Sequence, residues 1–235
     1  WLTVFGGALY FNATTAAAGS ELWRSDGTAA GTQMVRQINP GVAGAIPRNL
    51  TDIGGGLMLF EATDNGNNSN ELWRTDGTAA GTVLVKDVYQ GTASSNLQNL
   101  RNVNGALFFT ANDGATGTEL WRSDGTSDGT FLVRDILPSD ASNPTNLTNL
   151  NGTLLFSANS NGSGIEGVFG RLLPGDLPHV SPCYTAHLAT DVLGDLDGEG
   201  GAVVTPAQPG LFLVPRGVSP GHARGSAVLV RVLER

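Results

Sequence analysis

An octapeptide that recurs at nearly constant spacing limits the possible folds more than any other feature of the sequence. Glu-Leu-Trp-Arg-(Ser/Thr)-Asp-Gly-Thr begins at Glu21, Glu71 and Glu119, so that successive copies lie 50 and 48 residues apart. A second Gly-Thr pair follows each copy after two further residues. Repetition with this period is typical of architectures in which each unit packs on its neighbours to bury a core.

Each unit is predicted to form four short β-strands. The first strand ends in a glycine turn, such as Asn104-Gly105, and a continuous apolar run such as 107–109 follows as the second strand. An Asn-Gly pair provides the positive φ angles that a type I′ hairpin requires. The Glu-Leu-Trp-Arg segment is the third strand, and the Asp-Gly-Thr segment is a turn. The fourth strands are predicted over 34–38, 83–88 and 131–136.

Four strands in about 50 residues is the size of one β-propeller blade. The sequence therefore predicts an all-β fold, a partial β-propeller of about three and a half four-stranded blades. The predicted blades are 1–49, 50–99, 100–146 and a partial blade over 147–166. An open β-solenoid or a sandwich array is the alternative architecture. Because position 1 already lies inside a repeat, we expect the chain to be a fragment or a processed piece of a longer protein.

The repeated units resemble the ELWxxDGTxxGT repeats of large secreted or surface proteins of bacteria. The full motif matches three times, and the resemblance extends over residues 2–166. It implies a propeller-like array and an extracellular or cell-surface location, although this chain contains no signal peptide. The resemblance implies no particular reaction.

The pattern stops at Glu166, where a fourth motif is due 47 residues after Glu119. Gly167-Val168-Phe169 follows in place of Leu-Trp-Arg, and the composition changes at the same point. Every Asn lies within 1–166, whereas 7 of the 11 Pro, all three His and the single Cys lie in the divergent tail 167–235. Two interpretations remain open. The tail is a different domain or an irregular cap, or it is an unfolded, out-of-frame translation of a GC-rich repeat.

The charge balance excludes several classes of partner. The chain has 13 basic and 21 acidic residues, a net charge of −8 and a single lysine, Lys86. Nucleic-acid backbones and anionic membrane surfaces are bound by clustered Lys and Arg, so neither is an expected partner. No apolar run reaches 18 residues, which argues against a membrane-spanning helix.

The repeated motif residues are interpreted as structural, because catalysis rarely needs three identical copies. Alternation along a strand places Arg and Asp of each motif on one face, which predicts a repeated ion pair such as Arg74–Asp76. The tryptophans either pack between blades or form an exposed aromatic platform for sugars. The motif residues concerned are Glu21, Trp23, Asp26, Glu71, Trp73, Asp76, Glu119, Trp121 and Asp124.

One metal candidate lies in the tail. Asp195, Asp197 and Glu199 are carboxylates at alternate positions next to Gly198, which resembles calcium-binding loops. The loop departs from those patterns because its third ligand is Glu and because Pro206 occupies the position of the last EF-hand ligand. No cofactor other than calcium is predicted.

Two further patterns in the tail carry little chemistry. Ser219 lies in a Gly-x-Ser-x-Gly pattern, but Pro220 follows it and has no backbone N–H for an oxyanion hole. His179, Cys183 and His187 are spaced by four residues, and without a helix they need not share a face.

These observations predict a non-enzymatic repeat scaffold, or an adhesion and binding module, of a secreted or cell-surface bacterial protein. Its expected partners are other propeller blades or a protein or glycan. A carbohydrate-binding propeller module is one alternative. A non-catalytic fragment of a larger propeller hydrolase or lyase is the other.

Overall fold

The computed structural model describes residues 1–64, 69–138 and 140–159, together with the backbone of three short strands in the remainder. Every regular element in the described residues is a β-strand. The first three blades comprise β1 (Leu2–Phe5), β2 (Ala8–Thr15), β3 (Gly19–Ser25), β4 (Gln33–Arg36), β5 (Arg48–Gly54), β6 (Leu57–Thr63), β7 (Asn70–Thr75), β8 (Val83–Lys86), β9 (Gln98–Val103), β10 (Ala106–Asn112), β11 (Thr118–Ser123) and β12 (Phe131–Arg134).

The remaining strands form a partial fourth blade and a separate pair. The fourth blade comprises β13 (Thr145–Leu150), β14 (Thr153–Asn159) and β15 (Ile165–Glu166), and the separate pair comprises β16 (Phe212–Pro215) and β17 (Ala227–Val230). Each strand pairs antiparallel with the next one in its blade, so that the three complete blades are four-stranded meanders. The described part of the chain is thus a partial β-propeller of three complete blades and one three-stranded blade.

Tight turns join the first two strands of each blade. Asn104 and Gly105 both adopt positive φ, at 52° and 81°, and Asn151 and Gly152 repeat this geometry. These are the backbone angles of the predicted type I′ hairpins. Blade 2 has the two-residue turn Gly55-Gly56, and its extra residue forms a bulge in the strand between Asp52 and Gly54, which also has positive φ.

Each blade has two apolar faces. We name the face toward the following blade the leading face and the face toward the preceding blade the trailing face. Leading faces carry side chains equivalent to Leu22, and trailing faces carry side chains equivalent to Trp73. This arrangement follows from strand alternation, because adjacent Leu and Trp of the motif must point to opposite faces.

Three clusters of buried side chains lie between consecutive blades. Each cluster combines one leading face with the next trailing face, as the continuous apolar runs predict. The first contains Phe5, Tyr10, Leu22, Val35 and Ile38 of blade 1 with Met58, Phe60, Ala62 and Trp73 of blade 2. The second contains Ile53, Leu59, Leu72 and Val85 with Leu107, Phe109, Ala111 and Trp121, and the third contains Val103, Phe108 and Leu120 with Leu154, Phe156 and Ala158.

The fourth strands end two residues earlier than predicted. They end at Arg36, Lys86 and Arg134 instead of residues 38, 88 and 136. The reason is that the backbone N–H groups of Ile38, Val88 and Ile136 donate to glutamate side chains. Within the described residues there is no helix of the length and apolarity that a bilayer span needs.

Candidate functional site: the repeated motif at the blade interfaces

The glutamate of each motif is buried and accepts hydrogen bonds from backbone N–H groups of the connection to the next blade. Glu71 accepts from Val88 at 2.7 Å and from Ser95 at 3.0 Å. Glu21 accepts from Ile38 and Asn39 at 2.9 and 3.0 Å. The three carboxylates thus replace the strand ladder as acceptors for a segment that has no partner strand.

The same connection also bonds to the following blade. Ser95 accepts a hydrogen bond from Asn112 through its carbonyl at 2.8 Å, and Ser142 accepts one from Asn159 in the same way at 2.7 Å. The Glu119 carboxylate accepts a hydrogen bond from the N–H of Ser142 at 2.7 Å and another from the Ser142 hydroxyl. Each glutamate therefore fixes the segment that joins its own blade to the second strand of the next.

Burial sets the protonation behaviour of these glutamates. It raises the pKa of Glu71 to about 7, because the loss of solvation outweighs the hydrogen bonds from Val88 and Ser95, and the nearby charge of Asp87 adds to the rise. Burial likewise raises the pKa of Glu21 and Glu119 above the ordinary value of a glutamate.

We predict that stability decreases as the pH rises from 6 to 8. A carboxyl group whose pKa is raised in the folded state binds more protons there than in the unfolded state. Its contribution to stability is therefore complete when the pH is below the unfolded-state pKa. The contribution is lost as the pH rises through the folded-state pKa, which is about 7 for Glu71. The expected loss from Glu71 is on the order of 1–3 kcal/mol. Urea unfolding at pH 6, 7 and 8 measures it, and Glu71→Gln should flatten the slope; an identical slope in both proteins would contradict the assignment.

The Asp-Gly-Thr loops are closed by their own side chains. In blade 2, the Thr78 N–H and hydroxyl both donate to Oδ1 of Asp76, at 2.8 and 2.7 Å, and Gly81 donates to the Thr78 hydroxyl at 3.0 Å. Blades 1 and 3 repeat these bonds within 0.1 Å. Hydrogen bonds from the threonines lower the pKa of Asp26 and Asp76, as such bonds to a carboxylate do.

Gly81 is required by this loop for space. An ideal Cβ at Gly81 would lie 2.1 Å from Cγ of Asp76, and the equivalent glycines in blades 1 and 3 have the same restriction. We predict that Gly81→Ala destabilises the protein by about 1–3 kcal/mol, the usual cost of overpacking. The measurement is urea unfolding of a double-mutant cycle, in which the cost should shrink in an Asp76→Ala background. An equal cost in both backgrounds would contradict the close approach to Asp76.

The tryptophans lie where trailing faces meet the preceding blade. Trp73 and Trp121 are 4% and 6% exposed, whereas Trp23 of blade 1 is only half-buried. None of their indole N–H groups has a hydrogen-bond partner among the described residues. Two of the three rings are thus enclosed by protein and cannot offer a face to a sugar.

The predicted ion pair between Arg and Asp of one motif is not a direct contact in blade 2, although the charge of Arg74 contributes to lowering the pKa of Asp76. The Arg74 guanidinium donates to the carbonyl of Gly125 in the next blade at 3.1 Å, while Asp76 accepts from Thr78. The physical reason is that the loop threonine satisfies the carboxylate locally, which frees the arginine to cross the interface. Arg122 instead lies over the ring of Phe131, 5.7 Å from its centre.

Cationic side chains on the fourth strands also cross between blades, which the sequence did not indicate. Arg36 donates to the carbonyl of Thr82, and Lys86 donates to the carbonyl of Thr130 at 2.6 Å. The only available signal was the basic residue at the end of each fourth strand.

The other predicted residues are not brought to this site. Asp195, Asp197 and Glu199, the calcium candidate, lie outside the described residues, as do Ser219, His179, Cys183 and His187. Among the described residues no group of three or more acidic, His or Cys side chains could hold a metal ion.

Comparison with known proteins gives structural neighbours only. No family model and no curated protein sequence matches the chain. Three similar solved structures are a mutant puromycin hydrolase complexed with PGG, the AtxE2 isopeptidase with bound astexin3-dC4, and an exo-beta-1,3-galactanase of Bifidobacterium bifidum s17. Their identities are 14%, 17% and 13%, and their TM-scores are 0.45, 0.41 and 0.38.

These likenesses cover two thirds of this chain and a smaller part of its neighbours. The matched shares of this chain are 68%, 67% and 69%, and the matched shares of the neighbours are 25%, 24% and 61%.

Proposed function

We propose that this chain is a non-enzymatic repeat scaffold that serves as a binding or adhesion module of a secreted or cell-surface bacterial protein. The observation that carries the proposal is that the carboxylates of the motif bind groups of the protein itself. Glu71 is buried and accepts from backbone N–H groups, and Asp76 accepts from Thr78 through Oδ1, so both acids stabilise the blade that carries them. Catalysis needs a group positioned for a reacting atom, and the repeated acids are committed to the protein itself.

The proposal is tested with the purified chain in two assays. Chromogenic glycosides and aminoacyl nitroanilides should show no turnover above buffer. An array of bacterial cell-surface polysaccharides and matrix proteins should show at least one specific signal that survives Glu71→Gln in protein that remains folded. Turnover of either substrate class, or an array without any signal, would contradict the proposal.

A carbohydrate-binding module is the second candidate, because the Trp23 ring is half-buried where its counterparts are enclosed. Under this alternative, Trp23→Ala abolishes binding to a glycan of the array. Under the scaffold proposal, the glycan signals of Trp23→Ala and of the unaltered chain are equal.

A further inference from the structure

The trailing face of blade 1 has the residues of the other trailing faces but no neighbour among the described residues. Leu9 is 37% exposed, whereas its counterparts Met58 and Leu107 are fully buried. Leu2 is 73% exposed, whereas its counterpart Leu147 in blade 4 is 3% exposed. Phe11, Ala13 and Trp23 of this face are half-buried, whereas each of their counterparts in blades 2 and 3 is buried.

The Asp-Gly-Thr loop of blade 1 is uncovered in the same way. Thr32 is exposed, whereas Thr82 and Thr130 are fully buried. A Cβ built on Gly27 meets no atom within 4 Å, whereas one built on Gly77 would lie 2.5 Å from the Tyr10 hydroxyl of the preceding blade. The loop of blade 1 is therefore closed internally, but none of the described residues covers its outer side.

One backbone acceptor on this loop also lacks the neighbour that supplies a cation to its counterparts. The carbonyls of Thr82 and Thr130 accept from Arg36 and Lys86 of the preceding blades. The described residues include no preceding blade that could supply such a donor to the carbonyl of Thr32, the corresponding group of blade 1. An occupant that supplies such a donor gains the same charge-assisted bond.

We propose that the trailing face of blade 1 docks the leading face of a further blade built on this repeat. The occupant presents aliphatic side chains at positions equivalent to Ile53, Leu72 and Val85, and a basic side chain at the position of Lys86. The evidence is continuity with the three observed interfaces, which all pair a trailing face with a leading face. This proposal goes beyond the proposed function, because it holds whether or not the chain binds a glycan.

The chemistry of the face favours a blade over a sugar. Leu9, Phe11 and Ala13 flank Trp23 on this face, and the nearby polar side chain Ser25 already bonds to Thr32. An aliphatic leading face buries these apolar side chains without bringing a polar group that needs a partner.

The test extends the complete chain with a copy of one of its own blades. Residues 48–98 are joined ahead of Trp1, because Trp1 occupies the repeat position of Asn99. Tryptophans are labelled with ¹³C, and broadening of the ring C–H signals by a soluble paramagnetic chelate is measured, because the indole nitrogen of Trp23 is already buried. We expect the broadening at Trp23 to fall to that at Trp73, and the urea midpoint of the extended chain to rise.

The matched control carries Leu72→Glu in the appended copy, where the charge disrupts the leading face. Trp23 should then be broadened as in the unextended chain. If residues 48–98 fail to fold as an extension, a copy of 98–145 provides a second leading face in the same register.

Three results would overturn the proposal. The first is equal broadening at Trp23 with and without either appended blade. The second is a Trp23 signal that is already as protected as Trp73 in the monomeric unextended chain. The third is protection of Trp23 that appears with concentration as sedimentation velocity detects dimers, which would make a second copy the occupant.

Discussion

Trp73→Ala is expected to destabilise the protein by about 3–5 kcal/mol, the usual cost of removing a large buried aromatic side chain. Trp73 is 4% exposed and packs with Leu22 and Phe60 in the core between blades 1 and 2. Its removal leaves a cavity at an interface on which both blades depend, because one blade alone cannot bury its two faces. Urea unfolding followed by far-UV circular dichroism gives the free energy.

The repeat provides a matched control at the same motif position. Trp23→Ala removes the same side chain from a trailing face that no other described blade covers, so we expect it to cost about 1 kcal/mol, in proportion to the smaller area that becomes exposed. Trp121→Ala, at the next covered interface, should cost as much as Trp73→Ala. Equal costs for Trp23→Ala and Trp73→Ala would show that packing between blades does not determine how much the tryptophan side chain stabilises the protein.

Glu71→Ala is expected to cost about 2–4 kcal/mol, because the buried N–H of Val88 loses its acceptor and that of Ser95 keeps only its 3.2 Å bond to the Asn70 carbonyl. The loss of stability should be accompanied by local opening of residues 88–95, because these residues do not form a strand whose ladder would hold them in place. Urea unfolding gives the free energy, and amide hydrogen exchange of peptides covering 88–95 reports the opening.

Asp128→Asn is the control for the loss of one negative charge. Asp128 is exposed on an Asp-Gly-Thr loop, and its substitution should change the free energy of unfolding by less than about 0.5 kcal/mol. If Glu71→Ala and Asp128→Asn have the same effect, or if exchange over 88–95 is unchanged in Glu71→Ala, the anchoring role of the glutamate is wrong.

Much of the fold can be predicted from the sequence because its signals are local and repeated. The Asn104-Gly105 turn requires positive φ at both residues, and the structure has it. The alternation of Leu and Trp in the motif assigns them to opposite faces, and the three buried clusters follow that assignment. Because the same pattern occurs in three repeats, each local inference is supported at three positions in the chain.

The details of the candidate site could not be predicted because they depend on segments distant along the chain. The acceptors of Val88 and Ser95 lie 17 and 24 residues away at Glu71, and nothing in the connection itself indicates a carboxylate partner. The absence of the predicted direct Arg74–Asp76 contact has a similar origin. Strand alternation brings the two side chains to one face, but it does not show that Thr78 already satisfies the carboxylate.

The repeated motif thus encodes an interface more than a surface. Its Glu fixes the connection to the next blade, its Leu and Trp fill the two faces, and in blade 2 its Arg reaches the next loop. Regions that bind partners in such a scaffold are expected among the exposed side chains that differ between repeats, since loops carry function on rigid frameworks.

The most direct test of this account is the accessibility of the ring C–H groups of the four tryptophans in the ¹³C-tryptophan-labelled, unextended chain. With a soluble paramagnetic chelate, we predict that the signals of Trp73 and Trp121 persist, that of Trp1 broadens fully and that of Trp23 is intermediate, in line with their burial. Full broadening of Trp73 and Trp121 to the level of Trp1 would place the motif on the surface and contradict the stacked-blade account.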